Sequence, residues 1–240
     1  MMMGACSMNS SVEKFNAERA KEYADQSRIG LAGYDACHEL TACLLSSALG
    51  RGGQAHILIV GVGGTGQEIL TCGRLEKDWH FTGVDPSPPM LAGAQVAVEA
   101  ANLTSRTAWY SGLLKDLKVD HTFDAATLIG VLHHVPSQAE KIEILKDIAL
   151  RLKPGAPFVI ACNRGSYPEN TLFLDAWSNR WRMAGTTEEQ VQPKINKILQ
   201  GAKPPDCDEE VADLLLSQGF EAPALFFSSL FWGAWITRRR

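Results

Sequence analysis

The stretch HILIVGVGGTGQEI, residues 56–69, decides the reading of this chain, together with HFTGVDPSPPML, residues 80–91. The first is an apolar run that breaks into glycines and then takes helical spacing. The second is a shorter apolar run that ends in the acid Asp85. Strand, glycine turn, helix and second strand in this order form a βαβ unit. Such a unit puts the glycine turn and the carboxylate at one edge of a parallel sheet, where nucleotide-like ligands bind. Gly61, Gly63 and Gly66 satisfy G-x-G-x-x-G, and Asp85 stands 19 residues beyond Gly66. Glycine suits a loop whose backbone must turn sharply or touch a ligand. A carboxylate at the end of the second strand can accept both hydroxyls of a ribose. The same residues would also serve tight turns and a helix cap without any nucleotide.

Working outward, the periodicity predicts helix over 10–50, with Ser10 and Glu13 as a capping box and a break at Gly30 and Gly33. Cys37, Leu40, Leu44 and Ala48 would share its buried face. Strands are expected at 55–60, 80–84, 107–110, 123–129 and 157–162, and helices at 66–76, 87–101 and 138–150. Ser87 can cap the helix that Pro88 opens. In the helix over 138–150, Ile142, Leu145, Ile148 and Ala149, with Leu152 beyond it, form an apolar stripe. Residues 163–205 are a long insertion carrying Tyr167, Phe173, Trp177 and Trp181, the mark of a lid or substrate wall. A last helix spans 208–218. The apolar run over 224–237 is interrupted by Gly233, which predicts two closing strands joined there; so short a connection requires antiparallel pairing. The organisation expected is one domain over 1–240: a helical cap (12–50), a cofactor-binding core (55–162), a lid (163–205) and a closing helix and hairpin (208–240).

Composition excludes several classes. The chain has 240 residues, enough for a full core, is 45% hydrophobic and carries net charge -4. That balance speaks against an extended nucleic-acid footprint. No apolar run reaches the ~18 residues of a membrane span, and residues 1–6 show no signal-peptide pattern. The six cysteines (6, 37, 43, 72, 162, 207) form no C-x-x-C pair, so neither a disulfide framework nor a metal site is expected. A cytoplasmic protein with reduced thiols is the expectation.

The ligand classes left open by the glycine turn are a nicotinamide or flavin dinucleotide and S-adenosylmethionine. Pro86 and Met90 offer apolar surface beside an adenine, and Gly112 with Leu113 follows the third strand where an adenine edge would meet backbone donors. Together with the closing antiparallel hairpin, these features favour S-adenosylmethionine. The runs ILIVGVGGTGQEI, WHFTGVDPSPPMLAGA, FDAATLIGVLHHVP and RLKPGAPFVIA, in that order, resemble class I S-adenosylmethionine-dependent methyltransferases. The terminal LFFSSLFWGAWITRR is similar to a subgroup acting on small molecules. The resemblance implies a Rossmann-like, mostly parallel seven-stranded α/β sheet of order 3-2-1-4-5-7-6, strand seven antiparallel, with helices on both faces and a helical lid. It implies that Gly61, Gly63 and Gly66 line the methionine part of the cofactor, that Asp85 takes the ribose, that Gly112 and Leu113 flank the adenine, and that Ile129 and Gly130 lie beneath. The chain departs from the family in three places. The glycine loop is one residue longer than G-x-G-x-G. Ile59 and Val60 stand where an acid often precedes the first glycine, so the ammonium contact must come from elsewhere. Leu113 stands where an acid usually follows Gly112.

Methyl transfer asks little of a protein beyond in-line positioning and exclusion of water. An acceptor that must lose a proton gains from a base, and His133 and His134, just past strand four, are the catalytic candidates, against packing and turn formation. Tyr23 is a candidate for the cofactor, and Tyr34, Trp177 and Trp181 for the acceptor; core packing is the alternative for each. Arg180 and Arg182 could meet an anionic acceptor or face solvent. The amino-methyltransferase motif of nucleic-acid enzymes is absent at Ile129-Gly130-Val131-Leu132. The function expected is methyl transfer to a small-molecule acceptor. A synthase or binder of a modified S-adenosylmethionine and an NAD(P)-dependent oxidoreductase are the alternatives.

Overall fold

A computed structural model describes residues 17–240, with side chains from residue 22 onward. Ser10 and Glu13 lie outside the described residues. Strands β1 (Ala55–Val60), β2 (Trp79–Asp85), β3 (Thr107–Ser111), β4 (Ala125–Ile129), β5 (Pro157–Asn163), β6 (Ala224–Ser229) and β7 (Trp232–Arg238) form one sheet in the order β3-β2-β1-β4-β5-β7-β6. The first five run parallel. β7 is antiparallel to both β5 and β6. The order expected from the sequence is the order found.

The helices are α1 (Ala17–Gly30), α2 (Tyr34–Leu49), α3 (Gln67–Leu75), α4 (Pro88–Ala100), α5 (Gln138–Arg151), α6 (Thr171–Met183), α7 (Glu188–Gly201) and α8 (Asp208–Ser217). β1, β4 and β5 are buried on both faces, which is why they read as unbroken apolar runs. One face packs on Leu145 and Ile148 of α5 and Val211 and Leu214 of α8. The other packs on Leu45, Ile69 and Leu91 of α2, α3 and α4. Ser87 caps α4, its hydroxyl accepting from the Met90 amide, with Pro88 at the first helical position.

Two sequence expectations fail for identifiable reasons. The buried face of α2 is Tyr34, Cys37, His38, Thr41, Ala42 and Leu45, while Leu40 is exposed. The stripe follows what α2 packs on, and polar residues were accepted into it because they bond locally: Thr41 Oγ1 donates to the Cys37 carbonyl and His38 Nδ1 lies 2.8 Å from the Tyr34 carbonyl oxygen. Gly233 is not the hairpin turn. It lies inside β7, and the chain reverses at Leu230 and Phe231, with Leu230 in the left-handed region at φ 51. A Cβ on Gly233 would stand 2.4 Å from the Trp235 ring, so glycine is there to let that indole lie over the strand.

Phe226, Phe227 and Trp232 of the closing hairpin pack on Leu31 and Tyr34. The insertion forms α6 and α7, which pack on each other, and α6 packs on α1. Trp177 Nε1 donates to the Gly30 carbonyl at 2.8 Å, and Arg180 donates to the carbonyls of Ile29 and Arg28 at 3.0 and 2.9 Å. Trp232 Nε1 also reaches Gly30 O, at 3.1 Å. The last carbonyls of a helix have no intrahelical partners, so lid and hairpin together close the end of α1. Arg180 is thus a tie between segments, and Arg182 pairs with Glu188 and Asn179.

Gly233→Ala should lower stability by about 1–3 kcal/mol through overpacking against Trp235, read as a reduced urea midpoint. The loss should shrink when Trp235 is also replaced by Leu. An equal loss in both backgrounds would mean that Trp235 is not what requires the glycine.

Candidate active site

At the carboxyl ends of the strands the backbone turns through Gly61, Gly63 and Gly66, at φ 72, 63 and 57. L side chains rarely adopt this left-handed region. The amides of Gly61 and Val62 both donate to the Val84 carbonyl, at 2.8 and 3.2 Å. Asp85 Oδ2 accepts from the Gly63 amide and Oδ1 from the Ser87 amide, each at 2.9 Å. The turn after β1 is therefore fastened to the end of β2. Burial raises the Asp85 carboxyl above its usual range, against these two bonds. Each oxygen has a further lone pair, so the group can still accept hydroxyls.

Beside this turn opens a cavity of ≈ 750 Å³, within the range of about 300–1,000 Å³ typical of small-molecule sites. It brings together Tyr23, Tyr34, Gly61, Ile129, Gly130, His133, His134, Trp177 and Trp181 of the residues singled out from the sequence. Gly63, Gly66, Asp85, Pro86, Met90, Gly112 and Leu113 do not line it. They run along the adjoining edge of β1, β2 and β3, where the Gly112 amide donates to the Asp85 carbonyl and the Met90 sulfur would stand 3.2 Å from a Cβ on Gly64. Tyr23 joins the two regions: a Cβ on Gly63 would stand 2.9 Å from its hydroxyl.

The cavity's far wall comes from the lid and the end of β5. Asn163 is 2% exposed; its Nδ2 bonds the Tyr167 hydroxyl at 2.8 Å and its Oδ1 has no hydrogen-bond partner. Trp181 Nε1 is a second buried polar atom without a partner on this wall, with the Lys194 ammonium over its ring at 4.3 Å. Buried polar atoms are rarely left unpaired, and both residues line the cavity.

His133 and His134 fall on a short 3-10 turn after β4, their rings 4.2 Å apart. The Asn163 amide can only donate, and it bonds His133 Nδ1 at 3.3 Å. Nδ1 thus holds the lone pair and Nε2 the proton. Burial, the neighbouring His134 and Lys141 lower its pKa well below the ordinary value. His133 is thus a neutral hydrogen-bond donor at Nε2.

Sequence reasoning passed over Glu68 and His38. Both line the cavity, and both are buried, with His38 Nε2 and Glu68 Oε2 3.8 Å apart. Burial pushes the Glu68 carboxyl up to about 8 and holds His38 down to about 4. The signal in the sequence was an acid at a position whose neighbours Ile69 and Cys72 belong to the core. Tyr34 completes the group, its hydroxyl 2.9 Å from Thr65 Oγ1.

Residues 60–158 match the family model of a methyltransferase domain. The sheet order around this segment, with its antiparallel seventh strand, is the one that the resemblance to class I methyltransferases implied. No curated protein matches the sequence. Solved structures sharing the fold include an O-methyltransferase candidate of Nostoc punctiforme, at 13% identity over 93% of this chain and 60% of that one, TM-score 0.67. The DhpI–SAH complex matches at 15% identity over 99% and 98%, TM-score 0.66. The cyclase SpnF matches at 17% over 84% and 80%, TM-score 0.59. The methyltransferase match runs from the end of β1 into β5. The cap, the lid and the hairpin, which supply the outer wall of the cavity, lie beyond it.

Glu68 has a consequence for stability. Its folded pKa of about 8 lies above the ordinary 4.5, so the folded state holds a proton that the unfolded state releases between these values. The associated stability is present below about pH 4.5 and lost as pH rises through about 8. Urea unfolding should show the stability of the wild type relative to Glu68→Gln falling between pH 5 and pH 8. A constant difference would place the Glu68 pKa near that of an exposed carboxyl.

Proposed function

We propose that this chain binds S-adenosylmethionine and transfers its methyl group to a small-molecule acceptor enclosed between the glycine turn and the lid. The observation that carries this reading is the contiguity of two regions: the Asp85-fastened glycine edge and a cavity that brings together Asn163, His134, Trp177 and Trp181. The donor set fits the cofactor. Gly61, Gly63 and Gly66 leave room for backbone approach, Asp85 keeps lone pairs for the ribose hydroxyls, Pro86, Met90, Gly112 and Leu113 border the adenine, and Ile129 with Gly130 forms the floor.

The cofactor, when bound, supplies a methyl group already activated on a sulfonium. What remains for the protein is position, dryness and a proton. Trp177 and Trp181 wall the acceptor side and exclude water, while Tyr34 lies toward Glu68 and Thr65. An acceptor hydroxyl or amine is placed beside Asn163 and His134, which line the cavity. His134 takes the proton such a group loses, while His133 stays neutral and holds position through Asn163.

Calorimetry with S-adenosylmethionine, S-adenosylhomocysteine and NADP tests the reading. Binding of the first two is expected; binding of NADP alone would replace it with a dinucleotide oxidoreductase. Asp85→Ala should weaken S-adenosylhomocysteine binding by about 1.5–3 kcal/mol, the worth of hydrogen bonds to a charged acceptor, in a chain that still folds. An unchanged dissociation constant would remove Asp85 from the site. Mass spectrometry of a cell extract incubated with methyl-labelled cofactor would identify the acceptor. Tight cofactor binding with no labelled product would instead point to chemistry without methyl transfer, as the cyclase name of one structural neighbour illustrates.

A further inference from the structure

Ile59 and Val60, the residues before the glycine turn, are buried and apolar, so no carboxyl on β1 faces the amino-acid end of a bound cofactor. A carboxyl reaches the same cavity from the other end of the turn. Glu68 sits in the first turn of α3 and lines the cavity with Gly61, Thr65, Tyr34 and His38. It is 4% exposed, and an acid buried without a cationic partner is costly.

The titratable groups facing it are Tyr34, Cys37 and His38 from α2, Cys72 from α3 and Asp85 from β2. None carries positive charge at neutral pH. His38 cannot become the counterion there, since burial holds it at about 4. Its Nδ1 faces the Tyr34 carbonyl at 2.8 Å. A carbonyl only accepts, so Nδ1 keeps the proton and Nε2 presents a lone pair toward Glu68. The pocket thus combines a carboxyl, the lone pair of a neutral imidazole and the hydroxyls of Tyr34 and Thr65, with no fixed cation facing the acid among the described residues. That set is suited to an ammonium, which offers donors and no acceptor.

We propose that Glu68 receives the ammonium group of the amino-acid end of S-adenosylmethionine, replacing the acid that β1 lacks. The inference rests on the S-adenosylmethionine reading given above. The arriving cation favours the ionised carboxyl and forms a charge-assisted bond with it. Glu68 is a binding and positioning residue: by fixing the amino-acid end it orients the sulfonium toward the lid side of the cavity.

The test compares two ligands by calorimetry at pH 7.5 on the wild type and Glu68→Gln. S-adenosylhomocysteine has the ammonium; 5′-methylthioadenosine keeps adenine, ribose and sulfur without it. The substitution should weaken S-adenosylhomocysteine by about tenfold or more, as expected for a hydrogen bond to a charged group, and leave 5′-methylthioadenosine unchanged. Unchanged S-adenosylhomocysteine affinity, or an equal loss for both ligands, overturns the proposal. A wild type that binds neither ligand fails at the S-adenosylmethionine reading itself. Should Glu68→Gln not fold, the wild type alone suffices. The ratio of S-adenosylhomocysteine to 5′-methylthioadenosine affinity should rise from pH 6 to pH 8 as Glu68 ionises, and a flat ratio overturns the assignment.

Discussion

The carboxylate of Asp85 fastens the glycine turn after β1 to the end of β2, and the geometry of the site follows from that attachment. Its two oxygens hold the amides of Gly63 and Ser87, so one side chain fixes both the path of the turn and the entry into α4. The glycines are required by the same constraint, because the path they follow lies at positive φ and passes under Tyr23. With this edge fixed, Gly61 and Ile129 come side by side at the floor of the cavity, and α3 starts where Glu68 faces inward. The carboxylate has an anchoring role before any ligand role, and its spare lone pairs allow it to hold both.

The enclosure depends on a different device, the open C-terminal end of α1. Its carbonyls are taken up by Trp177, Arg180 and Trp232, side chains from the lid and from β7. Helix ends need such partners, and here the partners join segments far apart in the chain. Trp177 therefore has two functions: it lines the cavity and it locks cap to lid. The aromatic cluster of Tyr167, Trp177 and Phe231 supports that lock with apolar burial.

The polar chemistry of the cavity is set by burial. His38 and His133 are kept neutral, and backbone groups choose their tautomers in opposite senses: a carbonyl faces Nδ1 of His38, an amide faces Nδ1 of His133. Glu68 holds a proton that an exposed acid would lose. These are environments tuned by desolvation. They set the buried carboxyl of Glu68, near the glycine turn, apart from Asn163 and His134 on the cavity's other side.

The sheet was legible in the sequence because its signals are local. Continuous apolar runs mark strands buried on both faces, and the glycine turn, Ser87-Pro88 and the acid at the end of β2 each fix a short backbone segment. A short closing connection also requires antiparallel pairing, so the place of β7 followed. Glycine signals near the chain's end were ambiguous, because glycine permits a turn and also makes room for a ring; only the packing of Trp235 decided that Gly233 does the second. The buried face of α2, the ties of Arg180, and the meeting of Glu68 with His38 depend on contacts between residues 30 to 152 apart in the chain. Periodicity reports which residues prefer burial. It does not report which helix faces the cavity, which donors a helix end will recruit, or that an acid will be buried beside a histidine, since those outcomes are set by how finished elements pack.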